Sequence, residues 1–332
     1  MTKPTLKTLL LGLTIGLLSC SSVFAGNILF MSRTLDGSGV PSSSDDGLVY
    51  DFLTNTLGHT VTGADTDIDF VGGGGNWEDY DAIIVSSTAN SGNLRNANPT
   101  LKDTTVGVFS WEYDYMNNDD PTTGNTDQDL MLFEITGVGV SGSGEEAIID
   151  VYQSGDGTPL YINLLGGNAD LMYCLQPGLV PILDGTGTTS TTRLQSVPTA
   201  GVQGDVMALA SGDGNPIDND GTGAGLGTGT GSDRSFLLYA DTGDALVAMS
   251  KDGIANSQPN APGRRLFFPL DNSGFGSLTT DYGYQMFSNS LSWVMGETPT
   301  AEFVSHVPEP SSVVLSLAAA AGMLAVARRR RT

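Results

Sequence analysis

An α/β fold built on a mostly parallel sheet is what this chain predicts, and three observations carry the prediction. Short apolar runs alternate with a helically spaced segment over the first third of the chain. Two of those runs, YDAIIVSS (80–87) and TTVGVFSWEYD (104–114), are continuous in Val, Ile and Phe, the pattern of strands buried on both faces of a sheet with helices on each side. Further apolar runs resume after a Gly/Thr-rich stretch and close in a helix.

Taken in order, NILFMS (27–32) reads as a strand. DDGLVYDFLTNTL (45–57) places Leu48, Phe52, Leu53 and Leu57 at helical spacing, and HTVTGA (59–64) returns to strand. The two continuous runs follow. From about 119 to 184 the pattern weakens, with TPLYINLLGG and the stretch 171–183 as strands or short helices. Residues 185–232, including TGTTSTT and GTGAGLGTGTGSD, have the composition of a flexible surface insertion. RSFLLYA, DALVAMS and RRLFFPL are three strand-like runs, with Ala261-Pro262-Gly263 as a turn before the last. A helix over roughly 281–295 turns Tyr284, Phe287, Leu291, Trp293 and Val294 inward. One large domain over 26–300 accounts for all of this, with 301–306 as a linker.

The two ends are of another kind. Residues 1–25 carry Lys3 and Lys7, an apolar run from Leu9 to Leu18, and the small-residue site Val23-Phe24-Ala25 before Gly26, which together make a secretory signal peptide. Leu17-Leu18-Ser19-Cys20 also fits a lipoprotein site that would acylate Cys20. At the other end, Pro308-Glu309-Pro310 precedes an uncharged apolar segment, 313–327, and then Arg328, Arg329, Arg330 and Arg331. As a helix that segment measures about 22 Å, short of the roughly 30 Å hydrocarbon core, so it suits transient membrane insertion with the arginines held on the cytoplasmic side. Residues 307–332 resemble the PEP-CTERM sorting signal of exported bacterial proteins. The resemblance implies recognition by an exosortase, a membrane-bound processing enzyme, cleavage near Pro-Glu-Pro, and passage from an inner-membrane intermediate to the cell surface or exopolysaccharide matrix. An ordinary tail anchor explains the helix and the arginines but not the Pro-Glu-Pro.

Removing residues 1–25 and 311–332 leaves 8 of the 14 basic residues against all 37 acidic ones, a formal charge of −29. Nucleic acid and anionic lipid need a basic footprint, so neither is a partner of this surface, whereas cations are. Cys174 is the one cysteine outside the signal, so the exported chain forms no internal disulfide and rests on its core. About 280 residues suffice for that. Among apolar neighbours in LMYCLQPG, Cys174 reads as a buried structural thiol.

The order of elements, with NILFM, LGHTV, YDAIIVSS, VGVFSW and APGRRLFFPL followed by a helix ending in SWVMG, resembles the class I glutamine amidotransferase-like superfamily, nearest its trehalose-utilisation-type branch. The match covers about 27–114 and 236–296, and implies a flavodoxin-like sheet. It also implies a nucleophilic Cys just after the VGVF strand and a His late in the domain. Phe109, Ser110 and Trp111 stand at the first position and Leu270-Asp271-Asn272 at the second. A serine in place of the Cys needs a base, and His59 and His306 are the only histidines. His59 is expected at the opposite edge of the sheet and His306 beside the sorting signal, so amide transfer is not expected.

Carboxylates and aromatics remain. Ligands of open α/β sheets bind beyond the strand C-termini, where this chain supplies Arg33, Asp36, Ser86 to Asn93, Trp111, Glu112, Asp114 and Asp271. One reading is a non-catalytic polysaccharide site, with Trp111 as a flat face for a sugar ring and Glu112, Asp114, Asn93, Asp36 and Asp271 bonding hydroxyls. The alternatives are that Trp111 packs inside and the acids solvate a loop, or that Glu112 and Asp114 form the acid pair of a carbohydrate-active hydrolase. Asp213, Asp218 and Asp220 alternate with Gly and Asn like a partial calcium loop, without the closing Glu. Beyond Ca²⁺ there, no cofactor is indicated. Gly72 to Gly75 lead into Asn76-Trp77-Glu78 without the basic residue of a phosphate loop and read as a hinge.

Overall fold

A computed structural model describes residues 25–65, 76–90, 94, 101–112, 149–152, 159–184, 193–198, 205–210, 234–244, 260–270, 274–279 and 281–299. Its centre is a mixed sheet in the order β2-β1-β3-β4-β11-β10-β9-β6-β7. The strands are β1 (Asn27–Ser32), β2 (Thr60–Asp65), β3 (Ala82–Val85), β4 (Gly107–Ser110), β5 (Ile149–Tyr152), β6 (Leu160–Leu164), β7 (Gly178–Leu183), β8 (Arg193–Pro198), β9 (Asp205–Ala210), β10 (Arg234–Ala240) and β11 (Arg265–Phe267). β5 and β8 pair with each other beside the main path, and β8 touches the start of β10.

The sheet has two halves. From β2 to β11 the neighbours run parallel. From β11 through β10, β9 and β6 to β7 they run antiparallel. The expectation of a mostly parallel sheet is therefore corrected: only the amino-terminal strands and β11 are parallel. The physical reason lies in the side-chain pattern. Parallel strands covered on both faces show no outward polar alternation, and in Ala82–Val85 and Gly107–Ser110 every residue is buried, the terminal Ser110 included. In β6 the residues alternate, Leu160, Ile162 and Leu164 inward and Tyr161 outward, as in an antiparallel strand with one wet face. Two strands, β8 and β9, fall within the stretch 185–232 that reads as an insertion, and β9 occupies an interior place in the sheet. DALVAMS lies almost wholly outside the described residues, as does the apolar segment 313–327. Among the described residues no helix is long and apolar enough to cross a membrane.

Helix α1 (Ser44–Asp51) starts at Ser43, whose hydroxyl accepts from the Asp46 N–H, and passes into a wider π-turn over Phe52–Thr56. Phe52 and Leu53 are buried and Leu57 packs against the core as expected, while Leu48 is 47 % exposed and Val49 takes its place inside. Helix α2 (Gly283–Val294) lies on the same face of the sheet, where Phe287, Leu291, Trp293 and Val294 join Phe30, Ile84 and Phe109 in one core. Among the described residues both α-helices cover this face. The other face, with Leu29, Met31, Ile83, Val85, Val108 and Phe267, is covered by Trp77 and Leu101 from short 3-10 turns, by Ala261, and by Leu94, which is helical.

Ring contacts organise the first core. Phe287 meets Phe109 at 4.9 Å, Phe275 at 5.0 Å, Phe268 at 5.3 Å and Phe52 at 5.9 Å between centroids. On α2 one turn further, the buried Asn289 takes a bond from Gln285 and donates to the carbonyls of Leu171 and Tyr173, clamping the loop before β7. In that loop Cys174 is exposed and in the left-handed region with φ of 59°, not buried as expected, because the clamp turns the chain outward there. At the amino-terminal ends of the parallel strands the fully buried Arg265 donates to the carbonyls of Thr104 and Val106. Burial lowers its pKa to about 10, which leaves it charged at neutral pH.

Close approach of α2 to β4 needs Gly107. A Cβ there would fall on the Val294 carbonyl oxygen, a backbone atom that cannot swing aside. Gly107→Ala is expected to cost about 1–3 kcal/mol as overpacking, read as a lower urea midpoint with an unchanged slope. An unchanged midpoint would show that α2 does not press on β4.

Candidate functional site

In the parallel half the strand order reverses beside β1, so a crevice forms between the carboxyl ends of β1 and β3, the place where open α/β sheets take their ligands. Ser32 ends β1, Ser86 and Thr88 follow β3, and the first turn of α1 brings Asp46 between them. The carboxylate of Asp46 accepts from Ser32 Oγ at 2.7 Å, Thr88 Oγ1 at 2.7 Å and Ser86 Oγ at 2.5 Å. Asp46, Ser32 and Ser86 are buried and Thr88 is half-buried. Next to it Asp45 accepts from the Phe275 N–H at 2.8 Å, which draws the turn at Phe275–Ser277 onto the start of α1.

This arrangement has a chemical consequence. A helix amino-terminus at a switch point is where phosphates bind, through free N–H groups and the positive end of the helix dipole. Here the protein's own carboxyl group sits at that end, hydrogen-bonded by three hydroxyls, and occupies the place a ligand's anion would take. Sequence reasoning named Ser86 but missed Asp46. Ser42-Ser43-Ser44-Asp45-Asp46 reads as an ordinary helix cap, and the signal that would have found it is the pairing of that acid with hydroxyl residues at the ends of two apolar runs.

Of the ligand residues named from sequence, Asp36, Trp111 and Glu112 are among the described residues. Trp111 follows β4 with only 3 % of its surface exposed, its indole 5.8 Å from Phe109, 6.0 Å from Phe30 and 6.1 Å from Phe287. In this position it presents almost no face to a ligand. Glu112 is equally buried. Asp36 is exposed, but its Oδ1 accepts from Ser38 N–H, Ser38 Oγ and Val40 N–H at 2.6–3.0 Å, bonds that hold its pKa below the usual carboxylate range and commit it to its own loop. Asn93, Asp114 and Asp271 lie outside the described residues, as do Asp213, Asp218 and Asp220. Among the described residues no three His, Cys, Asp or Glu side chains converge as metal ligands.

At the nucleophile position suggested by the amidotransferase resemblance, Ser110 is buried. Its hydroxyl accepts from the Glu112 N–H at 3.0 Å and points its proton at the Val85 carbonyl, 3.4 Å away. That is the geometry of a strand-end staple, since the oxygen is spent on the backbone. His59 stands at the opposite end of the sheet, where Gly26 N–H donates to its Nδ1 at 3.0 Å. Burial lowers its pKa, partly offset by Asp81.

Comparison with known proteins adds one finding and two blanks. Residues 306–331 match the PEP-CTERM protein-sorting motif, the mark of an exported protein handled by exosortase, a membrane enzyme, and sorted toward the cell surface. No curated protein and no solved structure matches the chain.

Replacing Trp111 by Ala separates packing from binding. With the indole packed against three rings, its loss is expected to cost about 3–5 kcal/mol of stability, measured by chemical denaturation. A variant of unchanged stability that lost affinity for a bound sugar would instead make Trp111 a ligand platform.

Proposed function

We propose that this chain is an exported surface or extracellular-matrix protein whose α/β domain binds polysaccharide or cations without catalysing a reaction. The observation that carries the export half is the sorting motif at 306–331, with Pro308-Glu309-Pro310 and the cluster Arg328 to Arg331 as its parts and the amino-terminal signal peptide as its counterpart. Exosortase is the processing partner, and residues 313–327 hold the chain in the membrane until it acts.

The binding half is supported by charge and by the crevice. An excess of acids makes the surface a collector of cations. At the strand ends the acids and amides Asn93, Asp114 and Asp271 are the side chains we assign to sugar hydroxyls, since Trp111 is in the core and Asp36 serves its own loop. Asp213, Asp218 and Asp220 are assigned to Ca²⁺ of extracellular strength, with affinities of about 10⁻⁴–10⁻³ M. The parallel strands stand in a flavodoxin-like order, and Ser110, turned onto the backbone, is not placed as a nucleophile.

One observation favours a second reading. Glu112 is a carboxyl just past the end of the central strand β4, the place where a carbohydrate-active hydrolase would carry one of its two acids.

A glycan array and calcium calorimetry on the purified exported domain, followed by product analysis on every glycan that binds, test both. Binding without products, unchanged in Glu112→Gln, is the expected result. New reducing ends that disappear in Glu112→Gln would establish the hydrolase, and a domain that binds neither glycan nor Ca²⁺ would overturn the binding role.

A further inference from the structure

At the end of the sheet away from the crevice, one nitrogen is unusually well provided for. Gly26 is buried, although Ala25 before it is exposed. The Gly26 nitrogen donates to Nδ1 of His59, and the next nitrogen, that of Asn27, donates to Oδ2 of Asp81 at 2.7 Å. The turn after α2 brings a third group, Glu297, its own N–H bonded to the Ser292 carbonyl. Burial and the charge of Asp81 raise the Glu297 pKa, so two carboxylates share this niche and repel each other. An imidazole acceptor and the Asp81 carboxyl thus stand at two successive peptide nitrogens, with Glu297 in the field of Asp81, and the nitrogen of Gly26 brings one proton and no charge. An ammonium at the same place would bring three protons and a positive charge.

The position in the chain matches. Val23-Phe24-Ala25 is the small-residue site of the signal peptide, and hydrolysis after Ala25 makes Gly26 the first residue. Glycine also suits the niche: a Cβ at 26 would land on the end methyl of Met295, with Asp81 Oδ2 3.5 Å away.

We propose that the mature protein begins at Gly26 and that the niche formed by His59, Asp81 and Glu297 is the binding site for its α-ammonium group. The inference rests on the signal-peptide reading. Water is the co-reactant: its oxygen joins the Ala25 carbonyl carbon as that carbon's bond to the Gly26 nitrogen breaks. The leader is left with a carboxylate and the nitrogen with an amine that is protonated at neutral pH. A signal peptidase makes the cut on the extended chain during export, because in the folded domain the Gly26 side of the bond is buried. Folding then seats the new terminus: Thr60 N–H donates to the Gly26 carbonyl and Asp81 N–H to that of Asn27, so the terminus closes the first turn of β1 between its two neighbouring strands. The ammonium relieves the repulsion between Asp81 and Glu297, and its charge favours the neutral imidazole that accepts from it.

The test uses the full precursor exported by a secreting bacterium and recovered from the outer side of its membrane. Intact mass and amino-terminal sequencing give the first residue, and the rate of α-amine acetylation at neutral pH, native against urea-unfolded, gives the state of the amine. We expect Gly26 first and native acetylation slower by at least about tenfold, the factor that one pKa unit gives, with His59→Leu and Glu297→Gln each restoring part of the rate without moving the cleavage site. A chain beginning at an acylated Cys20, or still at Met1, would overturn the signal-peptide reading and this proposal with it. A chain that begins at Gly26 but is acetylated as fast folded as unfolded would leave the signal reading standing and overturn the niche.

Discussion

The carboxylate of Asp46 and the three hydroxyls that donate to it are the constraint on which the parallel half of this protein depends. They fasten the first turn of α1 to the ends of β1 and β3 at the point where strand order reverses. A buried carboxylate is tolerated only with its lone pairs filled, and bonds of this kind contribute about 1.5–3 kcal/mol each. That same requirement decides what the crevice can accept. With the Asp46 carboxyl at the helix terminus, the place a phosphate would take at this switch point is filled from within the chain.

What the residues disclosed by pattern was the part governed by burial on a sheet. NILFMS, YDAIIVSS, VGVFS and RSFLLYA were legible because each is an apolar run bounded by turn residues, and α2 because Phe287, Leu291 and Val294 recur at helical spacing. The direction of the strands was harder to read. RSFLLYA is apolar enough to pass for a parallel strand, yet it pairs antiparallel on both sides. The clue to the second half was the alternation in LYINL, which a one-sided strand produces.

Side-chain roles were less legible than elements, for a physical reason. An aromatic residue at a strand end faces solvent or core according to a single rotation of the pleat, and Trp111 faces the core because Phe287 and Phe30 supply an apolar surface that only the folded chain assembles. Asp46 escaped notice because its hydroxyl partners Ser86 and Thr88 are some forty residues distant. Cys174 was expected inside on the strength of its neighbours, but the Asn289 clamp sets that loop's backbone and turns the thiol out.

Between its two ends the protein is a packed acidic domain, and the ends decide where it works. The central claim is that residues 306–331 are a sorting signal used by exosortase. Intact mass of the protein released from the surface of its own bacterium without detergent tests that claim most directly. The account predicts a carboxyl terminus near Pro308-Glu309-Pro310, with the apolar segment and the arginines gone. A released, detergent-free protein whose mass still includes Arg-Arg-Arg-Arg-Thr would contradict it.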